Sequence, residues 1–308
     1  MFVCLILLMY ALLESAHLYR YWRMTAAYRH TCPFVPLAMH WIMRMLARAS
    51  DCVMPWLMRR VADGLYTAPA SAGPATAPPV VFVGPLGSPN ALFLFVPTLL
   101  RYLRARYAGS QVYVYLPPVC RLGDGYTAAR SPRPSFGGVQ AFLEKHLPCT
   151  LARAHLVGHS YGSCIVRIAR MQHPPVEGVR TELWDPVFAV MGRRVLDRLL
   201  AGTYPLYDGG PVPSFVNRLL YRIMFCDPVV WTVLCDARDD MRHELWTLGR
   251  FSLSGDTTAP PRVVVADKDH LLPPLPTPVP NNWVVLPHAN HGDVLHRLDA
   301  IPTHRPTV

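Results

Sequence analysis

Residues 154–166 read Ala-His-Leu-Val-Gly-His-Ser-Tyr-Gly-Ser-Cys-Ile-Val, and they restrict the fold more tightly than any other stretch of the chain. At their centre Gly158-His159-Ser160-Tyr161-Gly162 forms the pattern G-x-S-x-G. The apolar residues before it predict a buried strand ending at about His159. Ile165, Val166, Ile168 and Ala169 recur at helical spacing after it and predict a helix from about Tyr161. A strand that passes directly into a helix forces the apex residue, Ser160, into a strained backbone conformation that holds its hydroxyl clear of the sheet. Glycine two positions to either side removes the Cβ atoms that would otherwise keep strand and helix apart.

The surrounding chain supplies a matching rhythm. From Val80 onward, short β-branched runs alternate with helical patterns. Strands are predicted at Val80–Val83, Gln111–Leu116, 154–159, Arg180–Trp184, Arg262–Ala266 and Trp283–Leu286. Helices are predicted over 90–107, with a bend at Pro97, over 136–147, and from the turn to about Gln172. Alternation of this kind implies parallel crossovers and an α/β fold built on a doubly wound, mostly parallel sheet. Residues 186–259 break the rhythm. Their apolar residues, from Phe188 to Leu234, suggest a mainly helical insertion placed where a cap would cover a site at the turn.

The N-terminal part reads differently. Residues 2–13 form an apolar run that falls short of the ~20 residues of a spanning helix, and it is followed by Tyr19, Arg20, Tyr21, Trp22 and Arg23. Such flanks suit a membrane interface, so a signal anchor or interfacial helix, a cleaved signal and a soluble packing helix all remain open. Residues 37–66 suggest a second helical region in which Trp41, Ile42, Met45, Leu46, Val53, Trp56, Leu57 and Val61 alternate with arginines. It would lie on a membrane surface or pack on the core. The low-complexity stretch 67–79, rich in Ala and Pro, marks the expected boundary between an N-terminal helical extension, residues 1–78, and a domain over 79–308 that carries the cap.

Composition narrows the partners. The charged fraction is 16% and the apolar fraction 51%, which argues against disorder and for a membrane-associated or unusually apolar protein. A formal charge of +10, nearly all arginine, suits nucleic acid or an anionic membrane. No zinc-finger, RNA-recognition or helix-turn-helix pattern is present, so a membrane surface met through residues 1–66 is the expected partner, in a compartment left open. The eight cysteines include no C-x-x-C pair, so neither a disulfide framework nor a zinc site is expected. No dinucleotide or phosphate-loop pattern occurs, and no cofactor is expected.

A serine hydroxyl becomes a nucleophile only with a base in reach and a group that orients the base. Both types follow later strands. Asp267-Lys268-Asp269-His270 comes directly after the strand Arg262–Ala266, and Pro287-His288-Ala289-Asn290-His291-Gly292-Asp293 after Trp283–Leu286. His291 is favoured over His288 as base, and Asp269 over Asp267 as acid. Short metal-binding groups drawn from His288, His291 and Asp293, or from Asp267, Asp269 and His270, are weaker readings. His159 is expected to pack, and Cys164 to be buried in the helix after the turn.

From Val80 to its end the chain resembles the α/β-hydrolases. Gly-His-Ser-Tyr-Gly resembles their nucleophile elbow, Val-Val-Val-Ala-Asp-Lys-Asp-His-Leu-Leu-Pro their acid loop, with Ala266 in the place of Gly and Asp269 in that of the acid, and Asn-His-Gly-Asp-Val-Leu their histidine loop. Trp184-Asp185-Pro186-Val187-Phe188 resembles, more loosely, a stretch before the helical cap in algal, plant and fungal members, some of them membrane-associated. The resemblance implies a serine hydrolase acting on a carboxylic ester, lipid-like or otherwise, through an acyl-enzyme, with Ser160, His291 and Asp269 as the triad. It also implies an oxyanion hole formed by the backbone N–H of Tyr161 and a donor after the first strand. There Gly84-Pro85 replaces the usual His-Gly, Pro85 has no N–H, and Leu86 becomes the expected donor. A non-catalytic binding protein, an acyltransferase and a thioesterase are the alternatives on the same site.

Overall fold

The computed structural model describes residues 2–24, 45, 52–69, 77–85, 89–116, 136–186, 260–269 and 275–302. Nearly all of the expected cap, the loop 117–135, Leu86 and His270 lie outside these residues.

Among the described residues, helix α1 spans Phe2–Met24 and the strands are β1 (Arg59–Ala62), β2 (Leu65–Thr67), β3 (Val80–Val83), β4 (Val112–Tyr115), β5 (His155–His159), β6 (Thr181–Trp184), β7 (Arg262–Ala266) and β8 (Trp283–Leu286). Helices α2 (Pro89–Arg106), α3 (Phe136–His146) and α4 (Tyr161–Gln172) fall between them. The strands form one sheet in the order β1-β2-β4-β3-β5-β6-β7-β8. Pairings from β4 to β8 are parallel, and β1 with β2 and β2 with β4 are antiparallel. This is the expected doubly wound, mostly parallel sheet. Continuous apolar runs such as Val-Val-Phe-Val in β3 fit it because a parallel strand is covered on both faces, and every residue of β3 is buried.

The chain leaves β3 towards β4 on one side and returns to β5 on the other, so the strand order reverses between β3 and β5. A crevice opens at the carboxyl ends of strands where the order reverses. Gly84 directly follows β3 and Ser160 directly follows β5 at this point. One face of the sheet packs Phe82, Val114, Val157 and Trp184 against Leu99 and Leu103 of α2 and against Leu295 and Leu298 near the C-terminus.

The helical expectation for 37–66 is corrected over 59–66, and Thr67, expected in the Ala/Pro stretch, ends a strand. Two strands stand there, joined by a two-residue turn at Asp63-Gly64, with Gly64 at φ 74°. Asp-Gly between two short strand-like runs is a hairpin signal, and here Gly64 supplies the positive φ that the tight turn needs. Of the described part, Met45 and residues 52–57 are helical. There Met54 and Met58 are buried at 2% and 1%, while Trp56 is 88% exposed. The sheet thus takes strands from both sides of the Ala/Pro stretch. Among the described residues no helix is long and apolar enough to cross a membrane. Ile6, Leu7, Leu8, Leu12 and Leu13 of α1 are exposed.

Beneath the sheet's apolar face lies a buried charge. Glu182, in the middle of β6, is 0% exposed and accepts hydrogen bonds from Arg106 Nε at 2.8 Å, Tyr102 Oη at 3.1 Å and Trp184 Nε1 at 3.1 Å, with Arg262 Nη1 at 3.4 Å. Burial alone would raise its pKa, but Arg262 and Arg106 outweigh burial and hold it below the ordinary carboxylate value. The sign follows: this group contributes stability above its unfolded-state pKa, and the contribution is lost as pH falls through the depressed folded value. Replacing Glu182 by Gln removes the negative charge that the Arg106 guanidinium, 4% exposed, meets at 2.8 Å. We expect urea unfolding at neutral pH to register a loss of about 3–5 kcal/mol. A loss below about 1 kcal/mol would mean that water reaches Arg106.

Candidate active site

Three hydrogen bonds fix the turn at Ser160. Its N–H donates to Trp184 O at 2.9 Å, Ser163 N–H donates to Ser160 O at 2.9 Å, and Ser163 Oγ donates to Gly158 O at 2.7 Å. Held between β5 and α4, Ser160 takes φ 53° and ψ −119°. A non-glycine residue there is strained, and such strain persists only where its surroundings impose it. Both glycines are needed for close approach. A Cβ on Gly158 would come within 2.5 Å of Gly162 O, and one on Gly162 would overlap the Val83 carbonyl of β3.

The structure brings together residues that are far apart in sequence. Ser160 Oγ lies 3.0 Å from His291 Nε2, and His291 Nδ1 lies 2.8 Å from Asp269 Oδ2. The Asp269 side chain is fully buried, and that of His291 is 19% exposed. Because an ionised carboxylate can only accept, Asp269 requires the proton on Nδ1 of neutral His291. This leaves Nε2 as an acceptor for the serine hydroxyl.

The competing residues lie elsewhere. Asp267 accepts the Ala289 N–H at 3.0 Å, and although burial works against it, the backbone donors of His288 and Ala289 hold its carboxyl below the usual value. His288 is exposed, at φ 55°. His159 is buried, its ring parallel to that of His291 with centroids 6.0 Å apart, and burial lowers its pKa so that it stays neutral. Cys164 is buried, as expected. Tyr161 opens α4 directly after Ser160, where the N–H groups of a helix's first turn lie outside its own ladder. Gly84 N–H is already given to Tyr115 O at 2.9 Å.

Asp185 is a residue of this site that sequence reasoning did not single out for a role. It follows β6 with φ 40° and is fully buried. Its signal was an aspartate directly after a buried strand, a place where a charge needs a reason. Among the described residues, the only group with metal-ligand geometry is Asp185, Asp269 and His291, whose donor atoms lie within 4.8 Å of one another. Those atoms are already engaged, His291 with Asp269 and Asp185 with two backbone N–H groups.

Burial lowers the His291 pKa, but Asp269, with smaller help from Asp185 and Asp293, more than reverses this, and the group ends above its ordinary value of 6.5. The pairing therefore stabilises the fold most below the unfolded-state pKa, and that stability is lost as pH rises through the folded one. We expect NMR titration of the His291 ring to give a midpoint above 6.5 in the native protein and a lower one in Asp269→Asn, where burial is left to dominate. An unchanged midpoint would break the assignment of the pair.

Solved structures similar to this chain include an esterase of the archaeon Pyrobaculum calidifontis, at 12% identity over 84% of this chain and 87% of that one, with a TM-score of 0.41. A peroxisomal α/β-hydrolase of Saccharomyces cerevisiae is 15% identical over 79% and 84%, with a TM-score of 0.45. A serine hydrolase involved in carbazole degradation is 16% identical over 78% and 94%, with a TM-score of 0.43. No protein-family model matches the chain, and no curated protein does.

Proposed function

We propose that this chain, whose fold is that of the α/β-hydrolases, is a serine hydrolase that cleaves a carboxylic ester through an acyl-enzyme. The observation that carries the reading is the unbroken line from Asp269 through His291 to the strained Ser160, at 2.8 and 3.0 Å. In the reaction Ser160 Oγ attacks the acyl carbon as its proton passes to His291 Nε2. Asp269 holds the imidazole in the required tautomer and faces the imidazolium that forms. The carbonyl oxygen becomes an oxyanion, which the N–H of Tyr161 at the start of α4 stabilises, with Leu86 as the second donor. His291 then gives its proton to the departing alkoxide. Water attacks the acyl-Ser160 ester, and the same proton path runs in reverse. The same site would serve another acyl acceptor, as in an acyltransferase or thioesterase. One observation favours a non-catalytic binding protein instead: Pro85 and the occupied Gly84 N–H leave no donor in the loop before residue 86.

A fluorophosphonate probe separates these readings because it reacts with an activated serine. We expect the native protein to label, and Ser160→Ala and His291→Ala to lose labelling by a factor of about 10³ or more. The native rate should fall as the pH is lowered and His291 gains its proton. A folded native protein that does not label would favour the binding reading.

A lipid-like ester and a membrane surface fit the chain's exposed features. Apolar side chains of α1 are exposed, Trp56 is exposed beside Arg59 and Arg60, and the net charge is +10. Tryptophan and arginine together suit the headgroup region, and each arginine near an anionic surface contributes about 1 kcal/mol. Co-sedimentation with vesicles containing phosphatidylserine should exceed that with phosphatidylcholine alone. Arg59→Ala should weaken the former about fivefold. Equal binding to both vesicles would remove the electrostatic part of the proposal.

A further inference from the structure

Asp185 is buried, yet it is not one of the three residues in the proton path. Its own N–H donates to Val264 O at 2.8 Å, which anchors it to β7. Its Oδ1 accepts the Ala266 N–H at 3.0 Å, and its Oδ2 accepts the Gly292 N–H at 2.9 Å. Ala266 ends β7, and its carbonyl accepts the N–H of Asp269 at 3.2 Å, so the first bond fixes the turn that carries the acid. Gly292 follows His291 directly and stands at φ 87°, so the second bond fixes the loop that carries the base. The ladder between β6 and β7 ends at Trp184 and Val264, leaving the Ala266 N–H beyond its last partner on β6. A buried N–H in that position needs an acceptor.

A packing residue would not need to be ionised. An isolated buried carboxylate is costly, and backbone donors offset only part of that cost. The nearest ring nitrogen outside the proton path is His159 Nε2 at 3.7 Å, on a ring that burial keeps neutral. The charges and titratable groups that face His291 are Asp269 from the loop after β7, Asp185 from the end of β6, His159 from β5 and Asp293 from its own loop.

We propose that Asp185 is a positioning residue for the Ser160–His291–Asp269 site: one carboxylate clamps the acid turn and the base loop to each other through the N–H groups of Ala266 and Gly292, and lends a second negative charge to the imidazolium. The proposal rests on the Ser-His-Asp reading. Its consequence for chemistry is specific. Asp185→Asn is isosteric but keeps only one acceptor, because its amide N–H₂ meets a backbone donor where the second oxygen was. One of the two loops must let go, and the negative charge is gone.

The test follows fluorophosphonate inactivation across pH in the full chain, with Ser160→Ala, His291→Ala and Asp185→Asn alongside the native protein. In Asp185→Asn the maximal inactivation rate should fall about 10- to 100-fold with little change in the probe's half-saturating concentration, because geometry and not binding is lost. The acid limb of the profile should move to lower pH, which a purely structural role would not produce. Asp185→Asn reacting at the native rate with the native acid limb, while Ser160→Ala and His291→Ala are silent, overturns the clamp and leaves the triad reading standing. His291→Ala reacting like the native protein overturns both. Should Asp185→Asn fail to fold, amide exchange in the native protein decides: the half-buried Gly292 N–H is expected to exchange as slowly as that of Ala266, and fast exchange at Gly292 overturns the clamp.

Discussion

The site depends on one close approach, that of the start of α4 to the end of β3 across Gly162. With a Cβ at 162 the helix could not lie against the Val83 carbonyl, and with one at 158 the strand could not turn into the helix. Everything above the sheet inherits its geometry from that contact. It fixes where Ser160 stands relative to β3, and so where a donor after Gly84 would meet an oxyanion. It also draws Ser160 N–H and Ser163 Oγ onto Trp184 O, which ties the turn to the end of β6. Asp185 begins there.

Among the described residues, β6 carries one buried carboxylate within the strand and another just past its end. Near the middle of the strand, Glu182 is surrounded by arginine, tyrosine and tryptophan donors, a solved electrostatic problem with no reactive group in reach. Just past its end Asp185, together with Asp269 from the loop after β7, is buried beside a histidine that can hold or release a proton. The difference lies in the partners. Guanidinium groups stay charged at any pH the protein meets, so Glu182 acts as a fixed brace. An imidazole changes its charge near neutrality, so the same kind of carboxylate becomes part of a switchable site.

Much of this was legible in the sequence because it follows from local rules. The G-x-S-x-G turn, β3 and the strands β4 to β8 announce themselves through glycine spacing and β-branched runs, and the strand bounds fall within a residue of expectation. The juxtaposition of Ser160, Asp269 and His291 was legible through their order along the chain, and the sequence favoured Asp269 over Asp267 on the same turn; in the structure Asp269 lies 2.8 Å from His291, while Asp267 accepts the Ala289 N–H. The hairpin at 59–67 was obscured because its strands are short and its arginines and apolar residues also fit a helical period. The Asp63-Gly64 turn was the decisive signal and is only two residues long. Asp185 was hidden for a different reason. Its partners are backbone N–H groups of Ala266 and Gly292, and backbone donors leave no trace in a sequence.

The hairpin of β1 and β2 carries one more implication, for the order in which the molecule is made. As the chain emerges from its N-terminus, the hairpin is complete before the strand it lies against exists, since Thr67 bonds to Val112 across 45 residues. Until β4 is synthesised, the hairpin's inner edge has no neighbour of its own. When it docks, it covers the flank of β4 that would otherwise be the open rim of the parallel sheet. The seam between β2 and β4 is therefore made from some of the earliest residues of the sheet.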